Sequence, residues 1–369
     1  MFIQVTRIKG WRACIAGHGT SISEAIEILN ATGEKIVLIV DENQRLSGSI
    51  SDGDVRRAVL QGKVLGDSAT AIMNTEPKFC FENASHTEVE ELMRQWGIHQ
   101  LPILNQEKKI VGIYSWIAPL RLETRENTFV IMAGGEGKRL LPLTQNIPKA
   151  MVEIFGQPLI EHIIRKAILE GFKTFVISVN YLGEMIEKYF RDGSSLGVSI
   201  SYVREKKPLG TAGSLSLLKL ENDLPIVVSN CDVVSEISFS AMLEDHQKND
   251  VSATVAVKNH EIQNPFGVLH TLNDRVVKIE EKPISRSNVS AGVYVLNREL
   301  IYDISSETPT DMPTLLHEVL NAGREILAYP VIENWVDVGH IDDLNRLKSN
   351  YSLKGVQDDK ISKTTSDKS

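Results

Sequence analysis

Residues Phe129 to Lys149 read FVIMAGGEGKRLLPLTQNIPK. The stretch opens with four apolar residues, Phe129 to Met132, a β-type run with no polar alternation, as expected of a strand covered on both faces. It then breaks into a loop carrying Gly134, Gly135 and Gly137. Without a Cβ the chain can turn sharply and bring successive N–H groups against phosphate oxygens. Lys138, Arg139 and Lys149 supply the positive charge that a polyphosphate and a second phosphate would require. Pro142 and Pro148 stiffen the segment that presents the last lysine. A glycine-rich turn with solvated cations would share the glycines, but Lys149 lies too far beyond them for a P-loop, and the spacing is a poor dinucleotide fingerprint.

The chain that follows alternates strand and helix. Leu159–Leu169 has apolar residues at helical spacing and ends at Gly171, 174–179 is a buried strand, a helix runs through Met185, Ile186 and Phe190, and 198–203 is another strand. This order predicts a doubly wound, mostly parallel α/β sheet, with ligands at the carboxyl ends of its strands. Six further strings fall at such ends or in nearby turns. Pro208-Leu-Gly210-Thr211-Ala212-Gly213 has the small residues of a tightly packed helix start. Asp232 follows the buried run 225–230, where a carboxylate faces the ligand crevice or caps the surface. Asn264-Pro-Phe-Gly267 and Glu280-Glu281-Lys282-Pro283 flank a hairpin that turns at Asn273-Asp274. Ser290-Ala-Gly-Val-Tyr294 and Trp335-Val-Asp337-Val-Gly339 complete the set.

Taken together, G-G-x-G-x-R-L…P-L-T…P-K closely resembles the signature of sugar-1-phosphate nucleotidyltransferases. The resemblance implies a Rossmann-like catalytic domain that joins a nucleoside triphosphate to a sugar 1-phosphate and releases pyrophosphate. Arg139, Lys149 and Lys282 would be the catalytic cations. Gly134, Gly135, Gly137, Lys138, Gly210, Thr211 and Ala212 would hold the nucleotide, and Gly267, Glu281 and Ser290 the sugar. Asp232 and Asp337 would bind Mg²⁺. The P-L-G-T-A-G form looks more like the guanylyl branch than the thymidylyl one. Two positions depart from the pattern: Cys231 replaces the glycine of N-G-D, and Ser290 stands where asparagine is more usual.

Ahead of this unit lies a weak repeat. Gly48 and Gly112 stand 64 residues apart, as Ser51 and Ser115 do, and the amphipathic runs at Ala25/Ile28/Leu29 and Val89/Leu92/Met93 share that offset. Each copy reads helix, strand, turn, strand, with a further helix expected from the closing serine. The pair resembles an α+β tandem CBS (Bateman) module. That resemblance implies a regulatory purine nucleotide, adenine first and guanine second, held at Ser51 and Asp54. The chemistry of those two residues also suits a plain helix cap. The second copy has Ala118 where the acid would stand.

The 369 residues, 42% hydrophobic and 24% charged, describe an ordinary globular chain. The domains expected are 1–120, a connector 121–127, a catalytic domain 128–354 and a mobile polar tail 355–369. A net charge of −8 argues against a nucleic-acid binder, and three scattered cysteines argue against a disulfide or zinc framework. With no signal peptide or bilayer-length apolar run, a cytoplasmic location away from membranes is expected. The whole arrangement resembles CBS-bearing guanylyltransferases of bacterial nonulosonic (legionaminic-type) acid pathways, which implies glucosamine 1-phosphate as acceptor and a homo-oligomer. Mannose or heptose 1-phosphate with GTP and a hexosamine phosphate with UTP are the alternatives. A non-catalytic nucleotide-sugar sensor is the rival of another class.

Overall fold

The computed structural model describes residues 4–8, 10–117, 124–205, 207–305 and 308–347. It divides into two compact units, Met1–Arg121 and Leu122–Ser369, described separately below. The expected tail, 355–369, and Ala118 lie outside the described residues.

In the first unit, β1 (Gln4–Arg7) precedes β2 (Ile15–Gly17), α1 (Ile22–Thr32), β3 (Ile36–Val40), β4 (Leu46–Ser51) and α2 (Asp52–Leu60). The second copy comprises β5 (Cys80–Phe81), α3 (His86–Trp96), β6 (Gln100–Leu104) and β7 (Ile110–Ile117). The repeat is exact in register: Ile39 opposes Gly48 and Ile103 opposes Gly112, each followed at once by a bulge. Leu38 and Cys14 from one copy share a buried cluster with Leu104 and Ile113 from the other, so the two sheets bury each other's faces. One expectation fails. Ser115 does not start a helix but continues β7, because Ser115, Trp116 and Ile117 are claimed by antiparallel pairing with Thr6, Val5 and Gln4 of β1.

The second unit starts with β8 (Arg125–Met132), so Arg125–Asn127, expected in the connector, already belong to the central strand. A short ribbon, β9 (Glu153–Ile154) and β10 (Gln157–Pro158), leads to α4 (Leu159–Leu169), β11 (Phe172–Val179), α5 (Gly183–Phe190), β12 (Ser199–Arg204) and the single turn α6 (Gly210–Gly213). Then come β13 (Ile226–Asn230), β14 (Val233–Ser235), α7 (Phe239–Asn249), β15 (Ala253–Gln263), the hairpin β16 (Val268–Leu272)/β17 (Arg275–Glu280) and β18 (Ile284–Leu296). The last elements are α8 (Glu299–Tyr302), α9 (Met312–Asn321), β19 (Ile326–Pro330), β20 (Trp335–Asp337) and a helix at 341–347.

Seven strands form one sheet in the order β12-β11-β8-β13-β18-β15-β19, with β18 alone running antiparallel to its neighbours. This is the doubly wound, mostly parallel sheet the sequence predicts. Phe129 and Ile131 of β8 face one apolar layer and Val130 the other, which is why the run shows no polar alternation. Phe129 packs edge-on against Phe172 at 5.2 Å and Phe239 at 4.9 Å. The central strand is thereby fixed, and its carboxyl end delivers the glycine loop.

His246 of α7 is buried at 2% exposure, with Nδ1 2.9 Å from Thr254 Oγ1 and Nε2 3.0 Å from Asn297 Oδ1. Burial holds its pKa below the ordinary imidazole value, against the Asn297 hydrogen bond and the Asp250 charge. The unfolded chain therefore takes up a proton at about pH 6.5 while the folded chain resists it. His246 adds its full stability above that pH and loses it as the pH falls towards the folded-state pKa. Urea unfolding at pH 7.5 and 5.5 is expected to show a loss of stability on acidification that is smaller in His246→Gln.

Candidate active site

The loop after β8 wraps a cavity of about 500 Å³ at the carboxyl ends of the parallel strands. Gly137 sits at φ 65, and a Cβ there would lie 3.0 Å from both Lys149 Cβ and Thr144 Cγ2. Thr144 Oγ1 donates to the Gly137 carbonyl at 2.9 Å and locks the turn. This glycine is required twice over, by backbone angle and by close packing. From the turn, Arg139 reaches Gly339, where a Cβ would lie 3.6 Å from its guanidinium. Lys138 stays at the rim, its ammonium 2.8 Å from Glu136.

Lys149 follows Pro148 in a one-turn 3-10 helix and is only 8% exposed. Its Nζ meets Asp232 Oδ2 at 2.5 Å. Asp232 comes directly after β13, and its carbonyl accepts from Val338 N at 3.0 Å, which ties it to the Trp335–Gly339 string. In the ribbon β14/β20, Val233 opposes Asp337, so the second aspartate arrives beside the first. Asp337 presents an edge to solvent, yet the surrounding protein and the neighbouring Asp232 carboxylate raise its pKa, with Lys149 and Arg139 acting the other way. The two carboxylates crowd each other, the condition a bound cation relieves. Among the described residues no third His, Cys, Asp or Glu joins them. That set fits a magnesium ion, which takes one or two carboxylates and completes its shell with phosphate and water oxygens. Cys231, next to Asp232 in the chain, is buried, and its thiol is pushed up to about 12, so it stays protonated and unreactive.

The opposite wall is α6. Gly210 takes φ 82, and a Cβ there would lie 2.6 Å from the Thr310 carbonyl. That carbonyl accepts from Ala212 N and Gly213 N at 2.9 Å, and Thr310 N donates to the Leu209 carbonyl at 2.8 Å. Thr211 lines the cavity, but its hydroxyl accepts from Met312 N at 2.8 Å and so caps α9. Ala212 is wholly buried behind this wall.

Gly134, Gly135, Gly137, Lys138, Arg139, Lys149, Gly210, Thr211 and Asp232 thus line one cavity. Asp337 does not line it: the β14/β20 register sets it beside Asp232, and it lines a neighbouring cavity with Ser235, His260 and Trp335. Gly267, Glu281 and Lys282 line neither; they form the base of the β16/β17 hairpin, where Lys282 takes φ 46. Gly267 faces Glu281, with 3.1 Å between a built Cβ and Oε2. Ser290 lies between the groups, its hydroxyl 2.8 Å from Tyr294 OH, and the following Gly292 is pressed against Asn230 and Val233. In the first unit, Ser51 and Asp54 form a capping box: Asp54 Oδ2 accepts from Ser51 N at 2.8 Å and Oγ at 2.7 Å, while Oδ1 engages Arg57.

Sequence reading missed Glu205. It is 9% exposed and lines the cavity, accepting from Ser178 Oγ at 2.8 Å and Leu209 N at 2.9 Å. A Cβ at Gly134 would lie 2.7 Å from its Oε1, so the carboxylate spans both walls. In the charged string Arg204-Glu-Lys-Lys207 it carries no signal beyond its place before Pro208.

The nucleotidyl transferase family model matches residues 128–353, and the CBS domain model matches 15–61 and 69–117. The chain belongs to the nucleotidyl transferase family. It is 33% identical over 222 residues to a mannose-1-phosphate guanyltransferase of Yarrowia lipolytica, and 31% identical over 222 residues to the catalytic subunit beta of mannose-1-phosphate guanylyltransferase from Danio rerio. Each match covers 58% of this chain and 61% of the relative, so the chain spans less than two thirds of these relatives. A crystal structure of a glucose-1-phosphate thymidylyltransferase from Bacillus anthracis shares the fold, with TM-score 0.50 and 22% identity over 60% of this chain and 94% of that one. No helix among the described residues is long and apolar enough to cross a membrane.

The Gly210–Thr310 contact is directly testable. Gly210→Ala combines a strained backbone with a clash against a carbonyl and is expected to cost about 1–3 kcal/mol. Urea unfolding should show that loss, with weakened binding of nucleoside triphosphate; unchanged values would mean the wall yields freely.

Proposed function

We propose that the second unit transfers GMP from GTP to a sugar 1-phosphate and releases pyrophosphate. An acceptor phosphate oxygen attacks the α-phosphorus in line, and the bond to the β-phosphate's bridging oxygen breaks. No proton need move, so the protein's task is to align two anions and offset their charge. The observation that carries this reading is the Lys149–Asp232 pair at 2.5 Å on the floor of a cavity walled by glycine-rich backbone. The loop amides and Arg139 would hold the β- and γ-phosphates, and Lys149 the α-phosphate. Lys282 and Glu281, on the hairpin base, would take the acceptor's phosphate and a hydroxyl. Asp232 and Asp337 would hold magnesium, which would supply positive charge to offset that of the reacting phosphates.

Glu205 supports guanine. Guanine's pairing edge presents N1–H and an amino group side by side, both donors, and a carboxylate keeps spare lone pairs after its two protein bonds. The acceptor belongs to the sugar 1-phosphate class. The relatives named above favour mannose 1-phosphate; the CBS pair ahead of the transferase unit, in its resemblance to guanylyltransferases of nonulosonic acid pathways, favours glucosamine 1-phosphate. A purine nucleotide at Ser51 and Asp54 is the corresponding proposal for the first unit, and it would have to displace Arg57.

Pyrophosphate release across four nucleoside triphosphates and these acceptors is expected with GTP alone. Lys149→Ala and Lys282→Ala should each lower kcat about 10²–10³-fold while remaining folded. Glu205→Gln should cut the preference for GTP roughly 10–100-fold. Release with UTP would overturn the base, and nucleotide binding without any release would make the protein a sensor.

A further inference from the structure

One half-buried charge has no place in that mechanism. Lys258, on β15, sends its ammonium inward to the carbonyls of Val331 and Glu333, at 3.1 Å each. Burial lowers its pKa, opposed by the Glu333 charge. Taking an ammonium out of water is costly, and a Met or Leu would fill the same space without that cost. What the ammonium adds is a two-point clamp on the chain between β19 and β20.

That chain carries Asp337. β20 is three residues long, and its only strand partner among the described residues is the equally short β14. So little sheet pairing cannot by itself fix a carboxylate to the tolerance a metal site requires. Two further anchors share the task. Trp335 Nε1 donates to the Ala291 carbonyl at 2.9 Å, and Asn334 is held to Glu236 through Nδ2–Oε2 at 2.9 Å. Upstream, Lys258 acts beside the bond from Val331 N to the Val257 carbonyl at 2.7 Å; Trp335 anchors the centre; downstream, the Val233–Asp337 register is joined by Val338 N donating to the Asp232 carbonyl at 3.0 Å.

We infer that Lys258 is a positioning residue: by clamping residues 331–333 it sets where Asp337 stands relative to Asp232, and through that the affinity of the pair for a divalent cation. The inference rests on the proposed function, which assigns that cation to the two aspartates. Lys258 acts through the backbone carbonyls of Val331 and Glu333.

The test compares the full-length protein with Lys258→Met, which keeps the apolar stem and removes the donors, and Lys258→Arg, which restores donors. Mn²⁺ binding in the presence of GTP is followed by electron paramagnetic resonance without turnover, and kcat and KM are measured alongside. Lys258→Met is expected to weaken Mn²⁺ binding and lower kcat by about 10-fold or more each. KM for GTP should stay within about twofold, since the nucleotide wall is untouched, and Lys258→Arg should recover most of both losses. A purely structural lysine would lower the melting temperature and leave Mn²⁺ affinity unchanged in the folded fraction, and that result overturns the inference. If Lys258→Met does not fold, Lys258→Gln, with one amide donor, decides: intermediate Mn²⁺ affinity supports the clamp, and wild-type affinity overturns it. A wild-type protein that binds no Mn²⁺ and turns over no nucleotide defeats the proposed function itself and this inference with it. Normal wild-type behaviour with a normal Lys258→Met defeats the inference alone.

Discussion

The second unit depends on placing an ammonium and a carboxylate in contact where water is scarce. Lys149 and Asp232 are 83 residues apart in sequence and meet with little solvent access on either side. Such a pair does little for net stability, because the cost of desolvating both ions consumes most of their attraction. Its worth lies in readiness. A lysine already stripped of water and already aimed can exchange its carboxylate partner for a phosphate oxygen without further reorganisation. Everything that brings the two together serves this contact: Phe129 at the centre of its aromatic cluster, the lock between Thr144 and Gly137, and the hydrogen bond from Cys231 N to the Met132 carbonyl.

The same requirement explains which parts were legible in the sequence. Gly137 and Gly210 are glycines because of positive φ and close approach, constraints no other residue satisfies, so they stand out in any reading. Asp232 was legible because a carboxylate just after a strand buried along nearly all its length has few other reasons to be there. The 64-residue repeat was legible because both copies need the same residue at the same bulge. What stayed hidden depends on partners distant in sequence. Glu205 looks like one more surface charge until Gly134 and Leu209 close around it. Thr211 reads as a ligand contact until α9 claims its hydroxyl. Ser115 reads as a helix start until β1 pairs beside it. No local pattern encodes a strand partner more than a hundred residues away.

The two groups of predicted site residues also differ in kind. Those of the nucleotide cavity are set on rigid elements, and most of their polar atoms already have partners. Gly267, Glu281 and Lys282 sit where the long β15/β18 ladder ends and a separate two-stranded hairpin begins. A two-stranded hairpin has little stability of its own. Under the proposed function, firm geometry belongs to the triphosphate side, and the acceptor side is built on a two-stranded hairpin outside the seven-stranded sheet.

The antiparallel pairing of β1 with β7 has a consequence of a different order. Gln4 stands opposite Ile117, so the chain enters and leaves the first unit side by side. A module whose two ends meet needs only one point of attachment, and inserting or removing it moves nothing downstream. Architecture of this kind lets a complete folding unit be gained or lost as a cassette in a single genetic event.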